Sequence, residues 1–277
     1  MQITDHSSSG ATAKSIQLAN LAFNFHHPDS PSFSYNKTQA LSPQQYRTPT
    51  NLKNYPDHTA PNCLLQHNGY SIHLVNSLKQ RIKATTLIKR MYASRGYNTD
   101  SASVFSHKPN EFAFLAMVGE TAAGTLTLRL DSNEGLLADA LYQQEINDFR
   151  AQGRRVCELS KLVLDPQHGL KEMIAILFQF AYIYARNIYQ ATDFFCEVNP
   201  RHALPQKRMF GFQQIGKEKI CPRVNAPAVL LHLKHTFIKK QINLLAGTHN
   251  TTTANRSLYP YCTPSFRTNQ ETIKIYM

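Results

Sequence analysis

Residues 156–166, Val156-Cys-Glu-Leu-Ser-Lys-Leu-Val-Leu-Asp-Pro166, read as a buried strand rich in aliphatic and β-branched residues. Asp165-Pro166 closes it, because the residue before a proline avoids the helical region. Inside stand Glu158, Ser160 and Lys161, all costly to bury without partners. A carboxylate there can accept a proton, a hydroxyl can hold a substrate or the carboxylate, and an ammonium can meet an anion. The same three residues can equally form a satisfied structural network, since ion pairs also sit in strands without doing chemistry. A second cluster is Asn199-Pro200-Arg201-His202. Asn199 suits a helix cap and Pro200 a first helical position. Arg201 then offers an anion contact and His202 a proton shuttle, or the two are a surface cation and a capped turn. Arg129 ends a strand in which Thr125, Thr127 and Arg129 alternate with Leu126, Leu128 and Leu130, giving one polar and one apolar face.

The elements that must position these groups follow from periodicity. Tyr70–Leu74 alternates as a first strand. Asn76 or Ser77 caps a helix whose apolar side is read as Leu78, Ile82, Leu87, Ile88, Met91 and Tyr92, ending before Gly96. Residues 111–118 and 123–130 form a hairpin about Gly119-Glu120. A helix spans 139–152, the strand 156–164 follows, and a strongly apolar helix spans 171–189. A strand at 192–198, a short helix from Asn199 to Phe210, strands at 212–217 and 228–234, and a terminal helix at 235–245 complete the order. Mixed elements of this kind make an α/β domain around a mixed sheet. The strand–helix–strand unit at 156–198 should place parallel strands side by side.

The chain carries 30 Lys and Arg against 18 Asp and Glu, a formal charge of +12. The excess is sharpest in residues 67–110, where seven basic residues face only Asp100. Lys79, Arg81, Lys83, Lys89, Arg90 and Arg95 fall on the first helix and favour an acidic protein or an anionic membrane surface, unless they are simply a solvated face. No nucleic-acid motif accompanies the charge. Five cysteines, odd in number and without CxxC spacing, fit a reducing cytoplasm, and no metal site is expected. Residues 1–66 are Ser-, Asn-, Gln-, His- and Pro-rich and read as a disordered extension, apart from a short apolar run from Leu18 to Phe25 that suits a docking segment. No secretory signal is evident at the N-terminus, and the longest apolar run, Met173 to Ile183, is too short for a membrane span. The expected organisation is therefore an extension (1–66), a catalytic-size domain (67–235), and a C-terminal helix with a polar tail (236–277).

Five strings occur in an order that resembles a known family. They are Ala84–Tyr92 with Gly96-Tyr97; Glu145–Arg150 with Gly153-Arg154; Glu158-Leu-Ser160-Lys161 with Asp165-Pro166; Asn199–His202 with Gly211-Phe212; and Cys221–Val229. Together they resemble the long-chain N-acyl amino acid synthases, a branch of the GNAT-type acyltransferase fold related to the acyl-homoserine-lactone synthases. The resemblance covers about residues 70–235. It implies an enzyme that transfers a fatty acyl group from a thioester to the amine of an amino acid, with no metal or redox cofactor. The acyl-phosphopantetheine arm is expected between the strands at 156–164 and 192–198, splayed apart.

On this resemblance Glu158 is the expected base and His202 a second catalytic group, with Ser160, Lys161, Asn199, Arg201 and Arg129 contacting substrate. The oxyanion is expected to meet a backbone N–H near residues 162–164, where the strand bulges. Two departures matter. Pro205-Gln206 stands where relatives often have Phe-Tyr, which removes the usual general-acid tyrosine and should shorten or kink the helix. The turn Asp165-Pro-Gln-His-Gly-Leu-Lys171 lacks the second glycine of a CoA pyrophosphate cradle, which favours an acidic acyl carrier protein, docked on the basic helix at 79–95, as donor over CoA. An acyl-homoserine-lactone-type or other amine acyltransferase, and a non-catalytic carrier- or lipid-binding protein, are the alternatives.

Overall fold

The computed structural model describes residues 63–67, 69–97, 99, 103–104, 108–168, 171–222, 226–248 and 256–264. Of the expected extension at 1–66, residues 1–62, including Leu18 to Phe25, lie outside them, whereas 63–66 belong to a strand rather than to an extension. Nine strands form the sheet: β1 (Cys63–His67), β2 (Tyr70–Leu74), β3 (Glu111–Val118), β4 (Thr121–Leu130), β5 (Val156–Leu164), β6 (Asp193–Val198), β7 (Gln213–Gln214), β8 (Lys219–Cys221) and β9 (Ala226–Lys234). Their order is β1-β2-β3-β4-β5-β6-β9-β7, with β8 on β9. All neighbours are antiparallel except β5 and β6, which are parallel as the strand–helix–strand unit requires. β1 and β8 are strands that the sequence pattern did not suggest.

Among the described residues five α-helices cover the faces: α1 (Leu78–Ala93), α2 (Asp139–Ala151), α3 (Lys171–Ile183), α4 (Pro200–Phe210) and α5 (His235–Leu245). Strand alternation assigns the layers. Phe114, Leu126, Leu128, Cys157, Leu159, Phe194 and Cys196 point into the core made with α3 and α5. Leu115, Met117 and Val163 pack against α1, while Val156, Phe195 and Leu230 pack against α2. The last face also carries Glu111, Thr127, Arg129, Glu158 and Ser160, so a polar strip runs across it beside α1 and α2.

β5 keeps both faces correct through a bulge. Thr125 faces Val163 but Thr127 faces Ser160, so three residues of β5 advance against two of β4. Lys161 is the extra residue and takes a left-handed φ of 52°. Apolar positions therefore change parity, from Cys157 and Leu159 to Leu162 and Leu164, and stay in one core.

α1 starts on a Ser77–Gln80 capping box, with Gln80 N donating to Ser77 Oγ at 3.3 Å. Its buried side differs from the expected one: Ala84, Thr85, Leu87, Ile88, Met91 and Tyr92 are inside, whereas Leu78 and Ile82 are 66% and 51% exposed. Counted back at 3.6 residues per turn, Ile82 lies opposite Leu87 and Ile88. α4 runs through Pro205 to Phe210 and stops at Gly211 in the left-handed conformation, so the proline does not shorten it. Residues 256–264 also depart from the polar-tail reading. Leu258, Tyr259 and Cys262 are buried in the α3 core, and Tyr259 Oη donates to Phe210 O at 2.7 Å. None of the helices among the described residues is long and apolar enough to cross a membrane.

Candidate active site

The central feature is a fork. β5 pairs with β6 only over Val156–Asp193, Cys157–Phe194 and Glu158–Phe195. Beyond that rung β5 stays with β4 to Leu164, and β6 stays with β9 to Val198. Asp165 N donates to Ala123 O on the β4 side. Alternation along the strand then turns the N–H groups of Leu162 and Leu164 towards the fork, where β6 no longer accepts them.

Glu158 occupies the last shared rung and is 1% exposed. Its Oε2 accepts from Leu137 N at 2.7 Å and from Ala138 N at 3.4 Å. The carboxylate is thereby fixed against the start of α2, where the helix dipole favours a negative charge. Beside it in β4 is Arg129, whose Nη2 donates to Glu111 Oε1 at 3.2 Å, both side chains being almost fully buried. Ser160 faces Thr127 across β4 and β5. Ser160 Oγ, Thr127 Oγ1 and Arg129 Nε are buried and have no hydrogen-bond partner among the described residues.

Lys161 does not join Glu158. Its side chain turns under α1, and Nζ donates to Ser103 O at 2.7 Å. Burial draws the ammonium below its usual pKa, with Glu111 opposing. A cavity of about 30 Å³ lies there, lined by Glu111, Thr127, Lys161 and Arg81 among others, which is room for roughly one water. The bulge itself is pinned by Thr125 Oγ1, which donates to Lys161 O at 2.9 Å.

The second cluster meets the fork from the β6 side. Asn199 Oδ1 accepts from Arg201 N at 3.2 Å, so that its side chain caps α4 rather than reaching outward. Arg201 is exposed. Its Nη2 donates to Tyr97 Oη, its Nε approaches His202 Nε2 at 3.3 Å, and its guanidinium lies 5.6 Å from the Tyr97 ring centroid. His202 is buried, and its pKa is pushed down to about 4 by burial, then by Arg201 and Arg95. At neutral pH it is an uncharged imidazole whose Nε2 accepts from Arg201 Nε.

The basic helix is more engaged than its composition suggests. Lys79 and Lys83 pair with Glu120 at 3.3 and 2.6 Å, Arg81 donates to Val104 O at 3.0 Å, and Arg90 meets Asp165 at 2.7 Å. Burial works against ionising Asp165, but bonds from Gln167 N, Arg90 and His168 hold its pKa below the usual carboxylate range. Sequence reasoning singled out Glu158, Ser160, Arg129 and Arg201, but not Glu111, Thr127 or Tyr97 as parts of the site. Thr127 and Arg129 were visible as one polar face, whereas Glu111 and Tyr97 reach it only through register and folding.

A mixed sheet with one splayed parallel pair, a bulge beside it and helices on both faces is a GNAT-type acyltransferase fold. The family model of the N-acyl amino acid synthase FeeM matches residues 83–234, and the chain belongs to that family. It is an N-acyltransferase. The solved structure of FeeM, an N-acyl amino acid synthase from uncultured soil microbes, is 24% identical with a TM-score of 0.57 and covers 62% of this chain and 94% of that one. A GCN5-related N-acetyltransferase from Brucella melitensis is 12% identical with a TM-score of 0.45, covering 71% of this chain and 92% of its own. A GNAT-family acetyltransferase from Streptococcus pneumoniae is 13% identical with a TM-score of 0.43, covering 60% and 99%. No curated protein sequence matches the chain.

Proposed function

We propose that the protein transfers a fatty acyl group from a thioester on acyl carrier protein to the amine of an amino acid, with Glu158 as the base. The observation that carries this reading is the position of Glu158 on the last rung before β5 and β6 part. A phosphopantetheine arm laid in the fork brings its thioester alongside the free N–H groups of Leu162 and Leu164. These donors suit the oxyanion of the tetrahedral intermediate. The acceptor arrives as an ammonium, and a fixed carboxylate, directly or through water, removes one proton so that nitrogen can attack. The adduct nitrogen gives up its second proton to water, the C–S bond then breaks, and the thiolate takes a proton from solvent. His202, uncharged at neutral pH, is the shuttle on the β6 side.

Two features support a carrier-protein donor. Asp165 places a buried carboxylate in the turn before α3, where a CoA pyrophosphate would need donors instead. The exposed side of α1 combines Leu78 and Ile82 with Lys79 and Lys89. An apolar strip flanked by ammonium groups complements an acidic helical protein. The deciding experiment gives the purified protein matched acyl-carrier and acyl-CoA thioesters with a panel of amino acids and follows products by mass spectrometry. An N-acyl amino acid formed faster from the carrier, and lost in Glu158→Gln, is expected. Equal rates for Glu158→Gln and wild type would remove Glu158 from the mechanism, and preference for CoA would remove the carrier.

A further inference from the structure

The cations towards the end of the chain have a different fate from those of α1. Residues 198–270 contain 11 Lys and Arg against one acid, Glu218. α4 and α5 lie within this span, and neither contains an Asp or a Glu. On α1, Lys79, Lys83 and Arg90 are tied to acidic side chains. Lys207 and Arg208 on α4 and Lys239 and Lys240 on α5 are exposed. None of them pairs with an acidic side chain among the described residues.

Each helix also carries apolar side chains in the same place. α5 buries His235, Ile238 and Ile242. At about 100° per residue, Phe237 and Leu244 come out opposite that stripe, and they are 39% and 61% exposed. Lys240 stands beside them, with Lys239 on the flank. α4 buries His202, Gln206, Met209 and Phe210. Leu204 lies opposite them, 52% exposed, between Lys207 and Arg208. The two helices adjoin, because Gly211, which ends α4, lies against the ring of Phe237, and a Cβ there would collide with it. Their inner sides enter one core, so their outer sides make one surface.

This combination selects the partner. Apolar side chains at the centre of a face, ringed by lysine and arginine, suit a lipid surface. The apolar groups enter the acyl boundary while the cationic heads stay level with the phosphates. A lipid surface demands no matching of individual groups, which fits cations left without fixed partners. Anionic headgroups repel carboxylates, and neither helix has one. A nucleic acid would meet the cations but give Leu204 and Leu244 nothing to enter, and no nucleic-acid motif accompanies them.

We propose that the outer sides of α4 and α5 form a docking face for a membrane of anionic phospholipid. Phe237, Leu244 and Leu204 enter the interface, and Lys207, Arg208, Lys239 and Lys240 meet the phosphates. The inference goes beyond the acyl-transfer reading and does not depend on it. α1 packs on the opposite face of the sheet, so a carrier protein on α1 and a membrane on α4 and α5 do not compete. Where both hold, an acylated amino acid, apolar at one end and charged at the other, is released beside the bilayer.

The experiment sediments the full chain with vesicles of phosphatidylcholine alone and of phosphatidylcholine with an equal part of phosphatidylglycerol. Wild type should follow the mixed vesicles and not the neutral ones, and added salt should release it. Each Lys or Arg near an anionic surface is worth about fivefold in partitioning. Lys207→Glu, Arg208→Glu, Lys239→Glu and Lys240→Glu together should therefore weaken binding by more than about a hundredfold. Leu204→Ser with Leu244→Ser should weaken it several-fold at every salt concentration. Both sets change only exposed positions, so melting temperature and acyl transfer between soluble substrates should stay near wild type. Lys79→Glu with Lys89→Glu on α1 should change vesicle binding far less. Wild type that binds neither vesicle, or both alike, overturns the proposal. So does a quadruple variant that keeps vesicle binding, or one that loses affinity for an acidic carrier protein instead, which would assign the face to a protein. Vesicle binding by a wild type that forms no acyl product supports the docking face and removes the acyl-transfer reading alone.

Discussion

Glu158 and Phe195 form the last rung that β5 and β6 share, and everything distinctive about the site follows from what happens past it. Up to this rung the two parallel strands satisfy one another's backbone groups. Past it, β5 bulges at Lys161 and β6 runs on to the cap of α4, so donors in the gap lack strand partners. The side chain of Glu158 is buried and held by the amides of Leu137 and Ala138, which keeps a carboxylate at the point where the gap opens. Glu158→Gln keeps an oxygen able to accept from Leu137 N and should fold, yet lower kcat by about 10²–10⁴, the usual worth of a positioned general base. Circular dichroism with steady-state kinetics separates the two effects. Glu158→Ala should lose stability as well, by about 1–3 kcal/mol for unsatisfied amides.

The bulge gives a prediction about shape rather than chemistry. Lys161 sits at a φ of 52° that glycine adopts freely and other residues adopt at a cost. Lys161→Gly relieves that cost while losing the bond to Ser103 O, so its melting temperature should stay close to wild type. Lys161→Val, β-branched, should be clearly destabilised in the same thermal melt. Deleting Lys161 should be far worse, because parity would then turn Leu162 and Leu164 towards the polar strip.

These two residues also show what could be read from the chain. Glu158, Ser160 and Arg129 stood out because polar groups interrupt strand patterns, and the parallel pair followed from a strand–helix–strand order. The parity change at Lys161 was hidden, since a bulge adds a residue without altering composition. Glu111 lies 47 positions before Glu158 and reaches the strip only through the β3–β4–β5 register. Leu78 and Ile82 looked like core because they are apolar, although helical periodicity places them outward. Leu258, Tyr259 and Cys262 were lost in polar surroundings.

The base of the fork should make the protein acid-labile in two stages. Asp193 is fully buried and takes bonds from Arg154 Nε at 2.7 Å, Arg154 Nη2 at 2.9 Å, His232 Nε2 at 2.8 Å and Thr192 Oγ1 at 2.5 Å. Burial opposes ionisation, but these bonds hold its pKa well below the usual value. A depressed carboxylate stabilises the fold above its unfolded pKa of about 4 and loses that contribution as pH falls below it. His202 and His235 act earlier. Both are pushed to about 4, mainly by burial. The unfolded chain binds their protons first, so stability falls as pH drops from about 6.5 towards 4. Melting temperature against pH should show both declines, with His235→Gln flattening the upper one and Asp193→Asn the lower.

The exposed side of α1 makes a separate, salt-dependent prediction. Lys79→Glu with Lys89→Glu should weaken binding of an acidic acyl carrier protein at low ionic strength, and the gap from wild type should narrow as salt screens the surface. Leu78→Ser with Ile82→Ser should weaken binding at all salt concentrations, because apolar contact is not screened. Surface plasmon resonance across a salt series distinguishes the two; equal affinity for both double variants and wild type would place the carrier elsewhere.

The strap at 256–264 ties α4 to the core from behind. Leu258 N donates to Met209 O at 3.0 Å, Tyr259 Oη to Phe210 O, and Gln179 Nε2 to Thr263 O at 3.0 Å. Ending the chain at residue 255 removes Leu258, Tyr259 and Cys262 from the core, each large side chain worth about 1.5–3 kcal/mol when fully buried. It also releases the C-terminal end of the helix whose other end presents Arg201 and His202. Tyr259→Phe keeps the ring and loses one hydrogen bond, so it should cost only about 1 kcal/mol. If the strap positions α4, truncation should raise KM for the acceptor before the protein unfolds, measured well below the melting temperature, while Tyr259→Phe should leave KM near wild type. Truncation that lowers melting temperature with unchanged KM would confine the strap to stability, because the packing of Met209 and Phe210 in the core, with Phe210 against Phe178, would then hold α4 without it.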